Sequence, residues 1–203
     1  MPQTATKSDR LLKLAKEEGI LRTRDVEAEG ISRKYLSRLV EQGELTRIGR
    51  GLYQRADHEV TEHHSLAVTA KRVPKATICL LSALEFHGLT TQSPFDIWTA
   101  IGHKDREPSV DALSLRIVRM SGDAHTKGIE EHEIEGVTVP IYSAAKTVAD
   151  CFKFRSRVGL DVAIEALRDY TQNDGSMDRL WHFADVCRVR TVIRPYMEAV
   201  GHA

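Results

Sequence analysis

Glycines at 19, 30 and 43 restrict what the start of this chain can fold into. "SDRLLKLAKEEG" ends at Gly19, "TRDVEAEG" at Gly30 and "SRKYLSRLVEQG" at Gly43. A glycine just past a run of helical periodicity supplies the left-handed residue that closes a helix. Leu11, Leu12, Leu14 and Ala15 share one stripe of the first segment. Leu36, Leu39 and Val40 share one stripe of the third, at i, i+3 and i+4. Thr23 is placed to cap the second helix and Ser32 the third. "ELTRIGRGLYQ" then reads as two short strands around Gly49-Arg50-Gly51. Three short helices and a basic hairpin predict a winged helix-turn-helix over residues 1–57.

Charge separates this part from the rest. The chain of 203 residues has 29 Lys+Arg and 29 Asp+Glu. Residues 1–57 hold 12 basic and 9 acidic residues, so 58–203 hold 17 and 20. Basic charge gathered in a short unit is the footprint of a phosphate-contacting surface. At about 100° per residue, Lys34 and Arg38 lie opposite the Leu36/Leu39 stripe, flanked by Ser37. Ser32, Arg33 and Lys34 open the third helix, where backbone amides and the helix dipole favour a phosphate. Such N-terminal residues of a recognition helix read base edges. Arg47 and Arg50 on the hairpin reach backbone or minor groove. The DNA-binding candidates are therefore Ser32, Arg33, Lys34, Ser37, Arg38, Arg47 and Arg50. A protein-docking module built on the same fold is the alternative, since fold does not determine function.

The remaining residues, 58–203, read as a second, α+β domain. "SLAVTAKRV" and "TICLLSALEFHGL" are helical and separated by Pro74. "FDIWTAIG", "LSLRIVRMS" and "HEIEGVTVPIYS" are strand-like, with Glu135-Gly136 as a hairpin turn. Ser143 caps "AAKTVADCFKFR", Leu160, Ala163, Ile164 and Leu167 stripe the next helix, and Ser176 caps another. Helices flanking a small, mostly antiparallel sheet are expected. No apolar run approaches the roughly 20 residues of a membrane helix, so no membrane partner is expected. Cys79, Cys151 and Cys187 are widely spaced and odd in number, which fits a reducing cytoplasm better than a disulfide framework.

The strings "LLSALEFHGLTTQSPFDIWTAI", "VPIYSAAKTVADCFKFRSRVGLDVAIEALRDY" and "RPYMEAV" resemble the AbiEi-type antitoxin family. These are transcriptional regulators of type IV toxin–antitoxin and abortive-infection operons. "YSAAKTVADCFKFR" is the most specific piece. The resemblance implies that the winged helix binds operator repeats in the chain's own promoter. It also implies that the second domain neutralises a nucleotidyltransferase-like toxin, without needing to touch it. No coiled-coil heptad marks a stable dimer, so a monomer or weak self-association is expected, with several copies on DNA. A stand-alone regulator whose second domain senses a small ligand is the competing reading.

No catalytic or metal constellation assembles from the sequence, and no cofactor is expected. Ser143-Ala-Ala-Lys146 has the Ser-x-x-Lys spacing of a serine nucleophile, but its Ser-Asp-Asn and Lys-Thr-Gly companions are absent. A helix cap followed by a Lys146–Asp150 pair explains it better. Glu59, Glu62, His63 and His64 lack HExxH spacing and a nameable distant ligand, and read as a solvated helix start. The acidic run "EEHEIE" reads as one solvent face of a hairpin. Lys153, Arg155 and Arg157 interleave with Phe152 and Phe154 at a helix end. They complement the helix dipole there and are also a candidate second contact patch.

Overall fold

The computed structural model describes residues 6–108 and 113–200. It is a mixed α+β fold with two sheets, and its contacts cluster into two units. The first comprises residues 6–74 and 132–139. The second comprises 75–108, 113–131 and 140–200.

In the first unit, α1 (Lys7–Glu18), β1 (Ile20–Arg22), α2 (Thr23–Ala28) and α3 (Lys34–Glu41) precede the hairpin β2 (Leu45–Gly49) and β3 (Leu52–Arg55). The glycine stops stand where the sequence puts them. After α3, Gly43 adopts φ +75°. Its amide bonds the Val40 carbonyl at 3.1 Å, and the Glu44 amide bonds the Leu39 carbonyl at 2.9 Å. That double closure satisfies two carbonyls the helix would otherwise leave open. A methyl group at Gly43 would meet nothing within 4 Å, so Gly43→Ala isolates the backbone cost. It is expected to lower stability by about 1 kcal/mol, read as a Tm lower by about 3 °C. An unchanged Tm would mean that the left-handed residue is not needed.

Two caps differ from expectation. Thr23 is the first helical residue of α2, and Arg22 precedes it without a side-chain cap. Arg33, already helical at φ −53°, precedes α3. Ser32 still accepts the Lys34 amide, at 3.4 Å. Strand β1 has no periodicity of its own in the sequence. It completes a three-stranded antiparallel sheet, order β1-β3-β2, by pairing Ile20–Arg22 with Leu52–Gln54. Leu11, Ala15, Leu21, Val26, Ile31, Leu36, Leu39 and Leu45 form the core beneath it. Helix α4 (His64–Arg72) clusters with this unit.

In the second unit, β4 (Thr77–Ile78) and α5 (Leu80–Phe86) replace the single helix read from "TICLLSALEFHGL". Cys79 is extended and Leu80 has φ +46°, which breaks any helix between them. The short strand matters because it lies in the middle of the second sheet. That sheet contains β5 (Ile97–Gly102), β6 (Leu115–Met120), β7 (Ile129–Ile134) and β8 (Val137–Tyr142), in the order β6-β5-β4-β8-β7. The expectation of a mostly antiparallel sheet is corrected: β4–β5 is antiparallel, but β5–β6 and β4–β8 are parallel. Parallel neighbours need a crossover connection rather than a tight turn, and alternation within a strand carries no direction. Glu135 and Gly136, at φ +52° and +76°, make the expected two-residue turn between β7 and β8.

Helix α6 (Asp123–Thr126) precedes that hairpin, and α7 (Ala144–Lys153), α8 (Arg155–Val158), α9 (Leu160–Gln172), α10 (Met177–Val186) and α11 (Arg190–Val200) follow it. Every residue of α7 from Ala145 to Phe152 is buried, so α7 is the central helix of the unit. Ser143 and Ser176 cap α7 and α10, accepting amides at 3.4 and 3.3 Å. In α9 the buried face is Val162, Ala163, Ala166, Leu167 and Tyr170. Leu160, read as part of the inward stripe, is instead exposed at the first turn. Among the described residues no helix is long and apolar enough to cross a membrane.

Candidate nucleic-acid interface

Helix α3 is amphipathic because its apolar residues recur at three- and four-residue intervals. Leu36 and Leu39 are buried and Val40 is partly buried. This orientation leaves Lys34, Ser37 and Arg38 exposed, together with Ser32 and Arg33 just before the helix. Arg47 and Arg50 are exposed on the β2–β3 hairpin. Among the described residues none of Arg33, Lys34, Arg38, Arg47 and Arg50 is ion-paired. Arg55, another of the basic residues within 1–57, differs: Asp57 holds it with contacts of 2.6 and 2.7 Å. Five free cations within 18 residues is an arrangement that attracts a polyanion.

One expectation about this surface needs correction. The opening amides of α3 are not free for a phosphate. Tyr35 and Leu36 bond the carbonyls of Ser32 and Arg33 at 3.0 and 3.1 Å, and Lys34 bonds the Ser32 hydroxyl. The tight first turn consumes these donors, so anion binding here falls to the side chains.

The hairpin is fixed in place. Arg47 Nε donates to the Gly49 carbonyl at 3.2 Å. The Thr23 amide donates to the Gly51 carbonyl at 3.0 Å. Arg72, at the end of α4, donates to the Arg50 carbonyl. Arg22 Nη1 donates to the Lys71 carbonyl at 3.3 Å, and Lys71 bonds Glu18 at 2.8 Å. This bracing role of Arg72 is not legible in the sequence. A basic residue in the last turn of a helix carries no signal for it.

Lys153, Arg155 and Arg157 are all exposed. Arg155 Nη1 donates to the Phe152 carbonyl at 2.9 Å, capping α7. Lys153 and Arg157 each lie 5.8 Å from the Phe154 ring. Ser143 is buried, and its hydroxyl oxygen accepts the Lys146 amide. Lys146 Nζ is fully buried, ion-paired with Asp150 and 4.1 Å from the centre of the Tyr142 ring. Cys187 donates to the other Asp150 oxygen at 3.2 Å. Burial pushes the Asp150 carboxyl up, and Lys146 and Cys187 pull it back. The Lys146 ammonium is therefore committed to Asp150, and the Ser-x-x-Lys spacing belongs to a cap and a buried pair. His87 ends α5 and donates from Nε2 to the Tyr142 carbonyl at 2.8 Å.

The solvated helix start is corrected at His64. This residue is partly buried, and Glu135, far along the chain, accepts from it. Glu135 itself lies outside the solvent face of the β7–β8 hairpin: Glu131 and Glu133 are exposed, but the Glu135 side chain is 2% exposed.

Comparison with known proteins locates these features. The chain is similar in structure to the crystal structure of the RV2827C protein from Mycobacterium tuberculosis. The TM-score is 0.63 at 14% identity, over 98% of this chain and 80% of that one. At that identity the likeness concerns the fold alone. No curated protein matches the sequence. Residues 9–56 match the family described as "Transcriptional regulator, AbiEi antitoxin". The match covers the helices and hairpin that carry the free cations, rather than the "YSAAKTVADCFKFR" stretch on which the resemblance leaned most. Over residues 9–56, then, the chain is similar to the family of transcriptional regulators described as AbiEi antitoxins.

Proposed function

We propose that the chain is a sequence-specific, DNA-binding autorepressor. It is also the antitoxin of a type IV, abortive-infection toxin–antitoxin pair. Residues 1–57 act as a winged helix-turn-helix, with α3 entering the major groove and the β2–β3 hairpin as the wing. Residues 58–203 supply the antitoxin role, opposing a nucleotidyltransferase-like toxin at the level of its effect. The reading asks for no catalytic step and no cofactor. The observation that carries it is a coincidence of position. The five cations without an ion-pair partner sit on α3, at the residue before it and on the hairpin, inside the segment that matches the regulator family.

The test uses DNA from upstream of the chain's own gene. Arg50 is a wing residue placed to meet phosphate. Arg50→Ala is expected to weaken binding to all sequences alike and to lower the slope of log K against log salt by about one unit. An unchanged slope would remove Arg50 from the interface. The antitoxin half is tested by growth. Co-expression of the full chain with a neighbouring nucleotidyltransferase-like gene is expected to restore growth, and failure to do so overturns that half alone.

A further inference from the structure

Three side chains that the DNA-binding reading does not use converge within the first unit. His58 Nε2 lies 2.9 Å, and His64 Nδ1 2.7 Å, from the same oxygen of Glu135, Oε2. The three donor atoms all lie within 4.8 Å of one another. The carboxylate is aimed from behind: its other oxygen accepts the Thr61 amide at 2.7 Å and the Thr61 hydroxyl at 2.8 Å. Glu135 holds this position from a turn residue at φ +52°, a conformation costly for a side chain of its kind. Its side chain is 2% exposed, whereas His58 and His64 are 17% and 23% exposed, so the cluster is closed behind the carboxylate and reachable past the imidazoles.

We propose that His58, His64 and Glu135 form a binding site for one divalent first-row transition ion, with Zn²⁺ the expected occupant. Two imidazole nitrogens and one carboxylate oxygen make a borderline donor set suited to that ion, and three protein ligands leave one position open. Thr61 does what an outer-shell partner of a metal-binding carboxylate does, fixing its orientation. The geometry is close to that required. Metal–ligand bonds of about 2.0–2.1 Å place neighbouring donors about 3.3 Å apart, so the present N···O distances need to open by roughly half an ångström. Small side-chain rotations supply that. Without the ion, His58 Nε2 and His64 Nδ1 donate to the carboxylate; on binding each of these nitrogens turns a lone pair to the ion, and a neutral ring carries its proton instead on Nδ1 of His58 and Nε2 of His64. This tautomeric shift leaves the proton count of a neutral imidazole unchanged. The carboxylate is already ionised at neutral pH. Burial raises its pKa, but the bonds from His64, Thr61 and His58 outweigh that and hold it at about 2. Cys79, Cys151 and Cys187 are buried and cannot compete for the ion. The bound ion would clamp the segment from His58 to His64 onto the β7–β8 turn. This role is structural and independent of the DNA-binding reading.

Titration of chelator-treated full-length protein with Zn²⁺ alone, followed by calorimetry, tests it. One ion per chain is expected, with Co²⁺ giving the visible absorption of a low-coordinate site. His58→Ala and His64→Ala are each expected to weaken binding by at least about tenfold. Glu135→Gln retains an acceptor for the hydrogen bonds and guards against loss of fold. It is expected to weaken the ion equally while its circular dichroism stays that of the parent. At a Zn²⁺ concentration about a hundred times the parent's Kd, the parent Tm is expected to rise by about 5 °C, and the variants' Tm by no more than about half of that. His63→Ala, next in sequence but outside the cluster, is expected to bind like the parent. The proposal is overturned if the parent binds no Zn²⁺ in large molar excess. It is equally overturned if folded Glu135→Gln binds as tightly as the parent, or if His63→Ala is the variant that loses the ion.

Discussion

Replacing Lys34 and Arg38 together by alanine is expected to abolish retention of operator DNA in a gel-shift titration, leaving the fold intact. Both side chains are exposed on α3, opposite buried Leu36 and Leu39, and neither is ion-paired. Surface changes of this kind usually alter stability by no more than about 0.5 kcal/mol. Their effect on DNA is expected to be much larger. A good bidentate contact from Arg to a guanine edge is worth about 1–3 kcal/mol of discrimination, and a lost phosphate contact removes about one unit of salt slope. Two such losses weaken specific binding by a factor of roughly 100 or more. Circular dichroism and Tm should match the parent. If the double variant retains operator DNA as well as the parent, α3 does not enter the groove.

The second large effect concerns stability. Lys146→Met is expected to destabilise the protein by about 3–5 kcal/mol, because it leaves Asp150 buried without its cation. For a chain of this length that is a Tm lower by about 10 °C. Both partners are fully inaccessible, and Asp150 keeps only the Cys187 thiol. Burial already pushes the Asp150 carboxyl upward, so in the variant it takes up a proton on folding. A folded-state pKa above the unfolded one means stability is lost as pH rises through it. The deficit is therefore expected to be larger at pH 8 than at pH 5. The pair Lys146→Met with Asp150→Leu removes both charges at similar volume and is expected to regain most of the loss. Urea denaturation of the three proteins measures this. A single variant as stable as the parent would show that the buried ion pair is not required.

These predictions draw on different levels of legibility. The α3 surface could be read directly, because a helix's angular period separates Leu36 and Leu39 from Lys34 and Arg38 without knowledge of anything else in the fold. Gly30 and Gly43 were legible for the same local reason. Arg72 was not, because its bond to the Arg50 carbonyl depends on where α4 comes to lie. The sheet was half-legible: alternation located β5, β6, β7 and β8, whereas strand direction and the two-residue strand β4 depend on pairing. Leu160 shows the converse error, an apolar residue placed inward by period and left exposed at the start of its helix.

The sequence by itself determined the short-range features: helix stops, the Ser143 and Ser176 caps, the Glu135-Gly136 turn and the polar face of α3. Each depends on residues within about one or two turns of chain, where geometry is dictated by backbone sterics and a repeat of 3.6 or 2 residues. Only the tertiary structure decided the environments. It enclosed α7 on every side, turning Lys146 and Asp150 from an ordinary surface pair into a buried one. It also brought Glu135 to His58 and His64 across 77 and 71 residues. Desolvation and convergence depend on what packs around a group, and no local period encodes that.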